Sequence, residues 1–113
     1  MKTTLLLLIV FLITFSCTRE KVPPIDQQCN STISFSNDVM PILEANCISC
    51  HQPGNTSGGY DLSSYSAIAA NANAIVGSMT ASSYLLMPLG GPALPDSTIQ
   101  KISCWIEQGK QDN

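Results

Sequence analysis

The residues with the clearest chemical potential lie together at positions 47–51, which read Cys-Ile-Ser-Cys-His. Two thiols three positions apart on one helical turn can form thioether bonds to the two vinyl groups of a haem, and the imidazole that follows can bind the iron. We therefore predict one covalent haem c, attached through Cys47 and Cys50 and ligated by His51. A backbone carbonyl within residues 52–60 is expected to accept the Nδ1 proton of His51 and so fix the ring.

Two other kinds of site use the same residue types. A thioredoxin-like Cys-x-x-Cys motif belongs with a βαβ unit, and the sequence lacks the strand patterns of such a unit. A structural zinc site could recruit Cys29, Cys47, Cys50, His51 or Cys104. Closed zinc sites usually combine two closely spaced pairs of ligands, whereas only one such pair occurs here. Haem attachment is the stronger interpretation, and both alternatives stay open at this point.

Three methionines follow the N-terminal segment, and each is a soft donor for the second axial position. Met87 is the predicted ligand, because Pro88 favours an extended backbone before it and the glycines at 90 and 91 let the loop approach a flat cofactor closely. Met79 is the second candidate. Met40 lies on the helix that leads into the cysteine motif and is expected to fill the core.

Residues 1–16 predict export of the chain. Lys2 supplies a positive charge, and residues 5–13 are nine consecutive apolar residues, whereas a membrane-spanning helix needs about 20. This pattern is typical of a secretory signal peptide. Its end, a serine followed by Cys17, resembles a bacterial lipoprotein lipobox, with Thr14 in place of the usual leucine as in the relaxed lipobox of Bacteroidetes-type bacteria.

We expect Cys17 to become the acylated N-terminus, which would anchor the protein in the cell envelope, on the periplasmic side of the inner membrane or in the outer membrane. An ordinary signal peptide with an incidental Cys17 is the alternative. Residues 17–30 contain two prolines, several charges and few apolar side chains, so they are predicted to form a flexible tether. Residues 31–113 are then left to form one domain.

Composition limits what this domain can do. The chain of 113 residues is 12% charged and has a net charge of −3. It contains no cluster of lysines and arginines, so nucleic-acid binding is not expected. Large apolar side chains are scarce after the N-terminal segment, and a domain of this size would have a marginal core. A disulfide, a metal or a large apolar cofactor is therefore expected to complete it.

Apolar periodicity predicts an all-α class, with about three helices and long loops. The first helix is placed at about residues 36–46, with Ser36 or Asn37 as its N-cap. A shorter second helix is placed at about residues 64–70. No alternating strand pattern is present.

The third helix is expected from Pro95 or Asp96 to Gln108, where Gly109 can end it. Its apolar stripe contains isoleucines three and four positions apart, and Trp105 widens that stripe. Its start is ambiguous, because residues 97–100 also fit a capping box.

Three segments in order carry a resemblance to a known family. They are residues 35–51 (FSNDVMPILEANCISCH), residues 58–65 (GGYDLSSY), and the stretch from MPLGG at 87–91 to IQKISCWIEQG at 99–109. Over about residues 33–110 the chain resembles small class I cytochrome c domains, particularly those in exported proteins of planctomycetes and Bacteroidetes. Pro95 departs from that pattern, since the family more often has a helix-capping serine or threonine there.

The resemblance implies a cytochrome c-like fold around the haem, with Met87 in the position of the family's distal ligand. It also bears on the cysteines. With Cys17 assigned to lipid and two others to haem, Cys29 and Cys104 are left, and two leftover thiols in a small exported domain most simply form a disulfide. The helices near these two residues cross in the family's fold, which suits that pairing; two free thiols are the alternative.

The predicted function is that of a monohaem c-type cytochrome that carries single electrons between redox partner proteins in a periplasmic or membrane-surface respiratory chain. No catalytic residue is assigned, so the protein is not expected to be an enzyme. A second hypothesis is a haem protein that binds or senses a gas or peroxide, in which Met87 leaves the iron. A third is a haem-free lipoprotein that uses its cysteines for a disulfide or a structural zinc.

Overall fold

The structure is a computed structural model that describes residues 29–113. The predicted signal peptide (residues 1–16), the predicted lipid site Cys17 and all but the last two residues of the predicted tether (17–30) lie outside the described residues. Within residues 29–113, no helix combines the length and hydrophobicity that crossing a membrane requires.

Three α-helices account for most of the regular structure in this region, so the protein contains a small, mainly α-helical domain. Helix α1 (Met40–Asn46) continues a π-helical turn at Phe35–Val39, helix α2 spans Tyr65–Met79, and helix α3 spans Asp96–Glu107. Two strands of two residues each, β1 (His51–Gln52) and β2 (Asn55–Thr56), pair antiparallel and precede a 3₁₀ turn at Ser57–Gly59. These strands are too short to leave an alternating pattern in the sequence.

The first helical segment begins earlier than predicted, and its cap is Ser34 rather than Ser36 or Asn37. The Ser34 hydroxyl accepts a hydrogen bond from the backbone N–H of Asn37 at 3.2 Å, and the Asp38 carboxylate accepts from the backbone N–H of Ser34 at 3.0 Å. These two reciprocal bonds satisfy backbone donors that the start of a helix leaves unpaired. The N-cap therefore lies two or three residues before the expected position.

Helix α2 is much longer than the predicted stretch at residues 64–70. Its start was placed correctly, because Ser64 caps it by accepting from the backbone N–H of Ala67 at 3.3 Å. The helix continues to Met79 because Ala72, Ile75 and Met79 are buried and extend one apolar face. Packing of this face outweighs the low helix propensity of the asparagines and the glycine between them.

Helix α3 agrees with the prediction to within one residue at its C-terminal end. Pro95 occupies the N-cap position and no side chain caps the helix, so the capping box considered for residues 97–100 does not form its start. The helix stops before Gly109, whose φ of 91° is readily accessible only to glycine.

The core lies where the three helices meet. Its most deeply buried side chains are Trp105, Leu43, Ile68, Met79, Ile102 and Val39. The rings of Phe35 and Tyr65 pack edge to face at 5.1 Å between centroids, and Phe35 lies 5.5 Å from Trp105. A disulfide joins Cys29 to Cys104, with 5.4 Å between the two Cα atoms. It ties the segment before the first helical turn to α3.

The residues that follow α3 are hydrogen-bonded to two aromatic side chains of this core. The Trp105 indole N–H donates to the carbonyl of Gln111 at 2.9 Å, and the Tyr65 hydroxyl donates to the carbonyl of Lys110 at 2.6 Å. Buried aromatic residues with a polar atom usually find such partners. These bonds keep the polar atoms of the aromatic cluster satisfied.

Candidate functional site

One cavity of about 220 Å³ contains both residues predicted as axial ligands, His51 and Met87. Its walls are nearly all apolar, and no charged side chain lines it. The segment that begins with His51, the last residue of the cysteine motif, contributes His51, Ser57, Gly58, Tyr60 and Leu62. Helix α2 contributes Ala74, Ile75 and Ser78, and the loop between α2 and α3 contributes Tyr84, Leu85 and Met87. Three segments of the chain thus converge on one apolar cavity.

The cysteine motif forms the turn that leads from α1 to this cavity. The backbone N–H of Cys47 donates to the carbonyl of Leu43 at 2.8 Å, and that of His51 donates to the carbonyl of Cys47 at 3.1 Å. Cys47 is half-buried, Cys50 is exposed, and both are free thiols. The motif was expected on a helical turn, but α1 ends at Asn46 and residues 47–50 form hydrogen-bonded turns that lead into β1 at His51. These turns keep the two thiols and the imidazole within one short stretch of backbone.

Burial raises the pKa of the Cys47 thiol to about 11. A catalytic Cys-x-x-Cys motif needs the opposite shift, because the thiolate is the attacking species and its pKa is lowered in redox enzymes. The surroundings of Cys47 thus argue against thioredoxin-like chemistry.

The zinc alternative also loses support. The disulfide between Cys29 and Cys104 removes two of its five candidate ligands. Across residues 29–113, no group of three or more histidine, cysteine, aspartate or glutamate side chains is close enough to hold a metal ion. A closed structural zinc site needs four ligands, so the described donors do not suffice for one.

The His51 ring is oriented by the chain that follows it. Its Nδ1 lies 3.3 Å from the carbonyl oxygen of Tyr60, which identifies the carbonyl expected within residues 52–60. Since a carbonyl oxygen only accepts, this contact favours the tautomer with the proton on Nδ1, which leaves the lone pair on Nε2. The backbone of His51 is fixed as well, because its carbonyl accepts from the N–H of Leu62 at 2.8 Å.

The turn that returns the chain to His51 depends on glycine. Gly58 has a φ of 64° and Gly59 has a φ of 81°, both in the left-handed region that other residues enter only at a cost. This geometry brings the Tyr60 carbonyl to the imidazole. The positive φ angles of this turn therefore explain why positions 58 and 59 are glycines. Gly58 also lines the cavity.

The three methionines occupy different surroundings. Met79 is 2% exposed and belongs to the core, and Met40 is half-buried against that core. Neither lines the cavity of His51, whereas Met87 does. The structure therefore brings only Met87, among these three, together with His51.

The loop of Met87 differs from the expectation in one respect. Gly90 and Gly91 were expected to lie close against a flat cofactor, but neither lines the cavity. Tyr84 and Leu85 form that part of the wall instead, because the backbone of Met87 is bonded to the end of α2: its N–H donates to the carbonyl of Ser78 at 3.0 Å. This bond turns the residues before Met87 toward the cavity.

The sequence does not predict that α2 forms one wall of the cavity, because the predicted second helix ends at about residue 70, before the residues of α2 that line it. The signal that could have located it is the spacing of Ala74, Ile75 and Ser78, which share one face of a helix. Tyr84 and Leu85 lie in a loop without periodicity, and no sequence pattern marks them.

No protein-family model matches this chain, and neither a curated protein nor a solved structure matches it significantly. Function therefore has to be inferred from the chemistry of the cavity.

The donors and walls of this region are of the kinds that can hold a haem, and Cys47 and Cys50 do not themselves line the cavity. Two free thiols precede an imidazole whose Nε2 bears the lone pair, a thioether lies on the same cavity, and the walls between are apolar. Four large apolar or aromatic side chains within residues 29–113 are markedly exposed, namely Tyr60, Tyr84, Leu85 and Leu89. The first three line this cavity, where an apolar ligand would cover them. The lining residues with polar side chains are His51, Ser57, Ser78 and the two tyrosines.

Proposed function

We propose that this protein is a monohaem c-type cytochrome that transfers single electrons, with a cytochrome c-like fold. The observation that supports this function best is that His51 and Met87 line the same apolar cavity, while the free thiols of Cys47 and Cys50 lie in the turn that ends at His51. When bound, a haem c would supply reversible one-electron chemistry at its iron.

Each residue has a distinct role in this proposal. Cys47 and Cys50 would hold the group covalently, so that it is not lost. His51 would bind the iron through Nε2, while the hydrogen bond to the Tyr60 carbonyl fixes the orientation of the ring. Met87 would supply a thioether ligand to the same iron, and the combination of histidine and methionine ligands would raise the reduction potential. The apolar walls would exclude water from the site.

Location and partners belong to the same proposal. Export through residues 1–16 and acylation of Cys17 would place the domain in the cell envelope, where cytochromes of this kind exchange electrons with other redox proteins. The described region has six carboxylates and two lysines, and Lys101 is paired with Asp38 at 3.1 Å. A redox partner with a basic docking face would be steered toward this acidic surface.

A second candidate function is the binding of a gas or peroxide at the iron after Met87 leaves. One observation favours it: the side chain of Tyr84, whose hydroxyl can donate a hydrogen bond, lines the cavity together with Met87. Binding of carbon monoxide to the reduced protein distinguishes the two functions, since a firmly bound methionine prevents it and a displaceable one permits it.

Covalent haem attachment is tested by exporting the full chain in a bacterial host with a cytochrome c maturation system. The purified protein should be red, and the haem should stay with the polypeptide after denaturation and acid–acetone extraction. The Cys47→Ala/Cys50→Ala variant should lose the haem under the same extraction, while Cys29→Ala/Cys104→Ala should keep it. A colourless wild-type protein would refute the proposal and leave a haem-free disulfide module as the remaining hypothesis.

A further inference from the structure

The loop that contains Met87 is attached to the C-terminal end of α2 at two points. The backbone N–H of Ser82 donates to the carbonyl of Gly77 at 2.8 Å, and the N–H of Met87 donates to the carbonyl of Ser78 at 3.0 Å. Both ends of the segment from 82 to 87 are thus hydrogen-bonded to the carbonyls of two consecutive α2 residues, Gly77 and Ser78. The position of Met87 in the cavity depends on this attachment.

Gly77 is the point of closest approach between the helix and the loop. A Cβ atom at this position would lie 2.5 Å from Cδ2 and 2.9 Å from Cε2 of the Tyr84 ring, and 3.0 Å from the carbonyl oxygen of Ser82. Real Cβ atoms do not approach other atoms so closely. The Tyr84 ring therefore lies directly on the helix backbone, in space that any other residue at position 77 would fill.

Local backbone conformation gives no reason for a glycine at position 77. Gly77 is buried in the last turns of a helix, where alanine would be intrinsically more favourable, and its backbone is helical, so no positive φ requires glycine. The turn next to it is strained, because Ala81 has a φ of 53° and Ser83 has a φ of 66°. Such conformations persist where surrounding contacts impose them. The bond from Ser82 to Gly77 and the positive φ of Ala81 together form a Schellman-type end of α2, and the Tyr84 ring lies against Gly77 beside this turn.

We propose that Gly77 and Tyr84 form a clamp that positions Met87 on the cavity wall. This inference rests on the proposed function, because the clamp would then hold the methionine sulfur on the iron and keep small exogenous ligands out. Gly77 acts through Tyr84 and the backbone of the loop and does not itself line the cavity. It is therefore a positioning residue rather than a ligand.

The first test is amide hydrogen exchange in the purified holoprotein, which reports on the loop directly. Gly77→Ala should raise the exchange rates of the Ser82 and Met87 amides at least about tenfold, the effect of overpacking a tightly packed contact. Asn73→Ala, at an exposed position of the same helix, should leave them unchanged. Tyr84→Phe should also leave them unchanged, because it keeps the ring. Unchanged exchange in Gly77→Ala would overturn the clamp.

A double-mutant cycle separates the clamp from a general loss of helix stability. Tyr84→Ala removes the ring that makes the two closest contacts of the new Cβ and leaves the 3.0 Å contact with the Ser82 carbonyl oxygen, so Gly77→Ala should change the exchange rates clearly less in that background than in the wild type. If Gly77→Ala is equally disruptive with and without the ring, its effect does not pass through Tyr84 and the proposal is wrong. This cycle also applies if the single Gly77→Ala variant folds poorly.

The second test measures methionine ligation of the iron by visible spectroscopy. In the oxidised wild-type protein a weak far-red band from sulfur bound to ferric iron is expected. Gly77→Ala should weaken or abolish this band and let the reduced protein bind carbon monoxide, whereas Asn73→Ala should do neither. Faster amide exchange with an unchanged band would show that the clamp does not control the ligand, which overturns its proposed role. Absence of the band in the wild type would overturn methionine ligation itself, a result distinguishable from failure of the clamp alone.

Discussion

Cys47 and Cys50 are alike in sequence and differ in their surroundings. Cys47 is half-buried beside the core and its pKa is raised to about 11 by burial, whereas Cys50 is exposed. The spacing of the cysteine motif predicts haem attachment for both residues, and this role stays a prediction. It could not predict this difference, because burial depends on how α1 packs against the rest of the chain.

Before haem attachment, the two thiols should therefore react at different rates. In protein refolded without haem and with the Cys29–Cys104 disulfide intact, iodoacetamide at pH 8 should modify Cys50 well before Cys47, because only the thiolate reacts. The rate at Cys47 should keep rising as the pH approaches about 11. Peptide mapping by mass spectrometry measures both rates. Equal rates in the folded protein, or a faster reaction of Cys47, would contradict the burial argument; in urea the two should become similar.

His51 shows how far sequence reasoning reaches at a single residue. The need for an acceptor at Nδ1 follows from the chemistry of metal-binding histidines, and the range of residues that could supply it follows from chain length. The choice of the Tyr60 carbonyl depends on the positive φ angles of Gly58 and Gly59. A pair of glycines is compatible with several turns, so the particular carbonyl could not be predicted.

At the scale of elements, helix α2 was the least predictable part. Its second half contains Asn71, Asn73 and Gly77, which local propensity treats as unfavourable in a helix. Burial of Ile75 and Met79 against the core overrides that preference. Helix α3 was predictable because its isoleucine stripe and the glycine after it agree with each other. Elements whose local signals conflict are therefore those that tertiary packing decides.

The first helical turn is connected to α3 through Asp38. The backbone N–H of Ser34 is the main reason that the pKa of Asp38 is lowered from its usual 3.8, and a hydrogen bond from Lys101 is the second. A carboxyl whose pKa is lower in the folded state stabilises the fold above its unfolded pKa and loses this contribution as pH falls through its folded value. The contribution should therefore be constant near neutral pH and vanish in acid.

This argument makes an ordered prediction for two variants. Asp38→Asn should reduce the free energy of unfolding at pH 7, and its deficit relative to the wild type should shrink as the pH falls below about 3.8. Lys101→Met should cause a smaller deficit, because it leaves the Ser34 hydrogen bond in place. Urea unfolding followed by circular dichroism at pH 7 and pH 3 measures both. A larger deficit for Lys101→Met at pH 7 would contradict the assigned cause.

At the scale of the whole molecule, a small core is supported by covalent links. Sparse large apolar residues predicted that something besides hydrophobic packing would complete the domain. The disulfide between Cys29 and Cys104 is one such link, with a sequence separation of 75 residues. In the chain-entropy model a loop of this length stabilises a protein by roughly 4 kcal/mol. Thioether bonds at Cys47 and Cys50 would add a second covalent constraint directly after α1, whereas Cys29 precedes that helix.

The general mainly α-helical class could be predicted from the sequence, since it follows from apolar periodicity within single segments. The cavity could be predicted only in part, because it is assembled from three segments. Motif spacing identified His51, and backbone preferences at Pro88 singled out Met87. The walls from α2 and from Tyr84 required the tertiary structure.

The measurement that tests the central claim most directly is the oxidised far-red spectrum of the exported holoprotein in three forms. The wild type should show the sulfur-to-iron band, Met79→Ala should retain it because Met79 lies in the core, and Met87→Ala should lose it and bind carbon monoxide when reduced. A band that persists in Met87→Ala, or that disappears in a folded Met79→Ala variant, would contradict the proposal that His51 and Met87, which line the same cavity, are the two iron ligands.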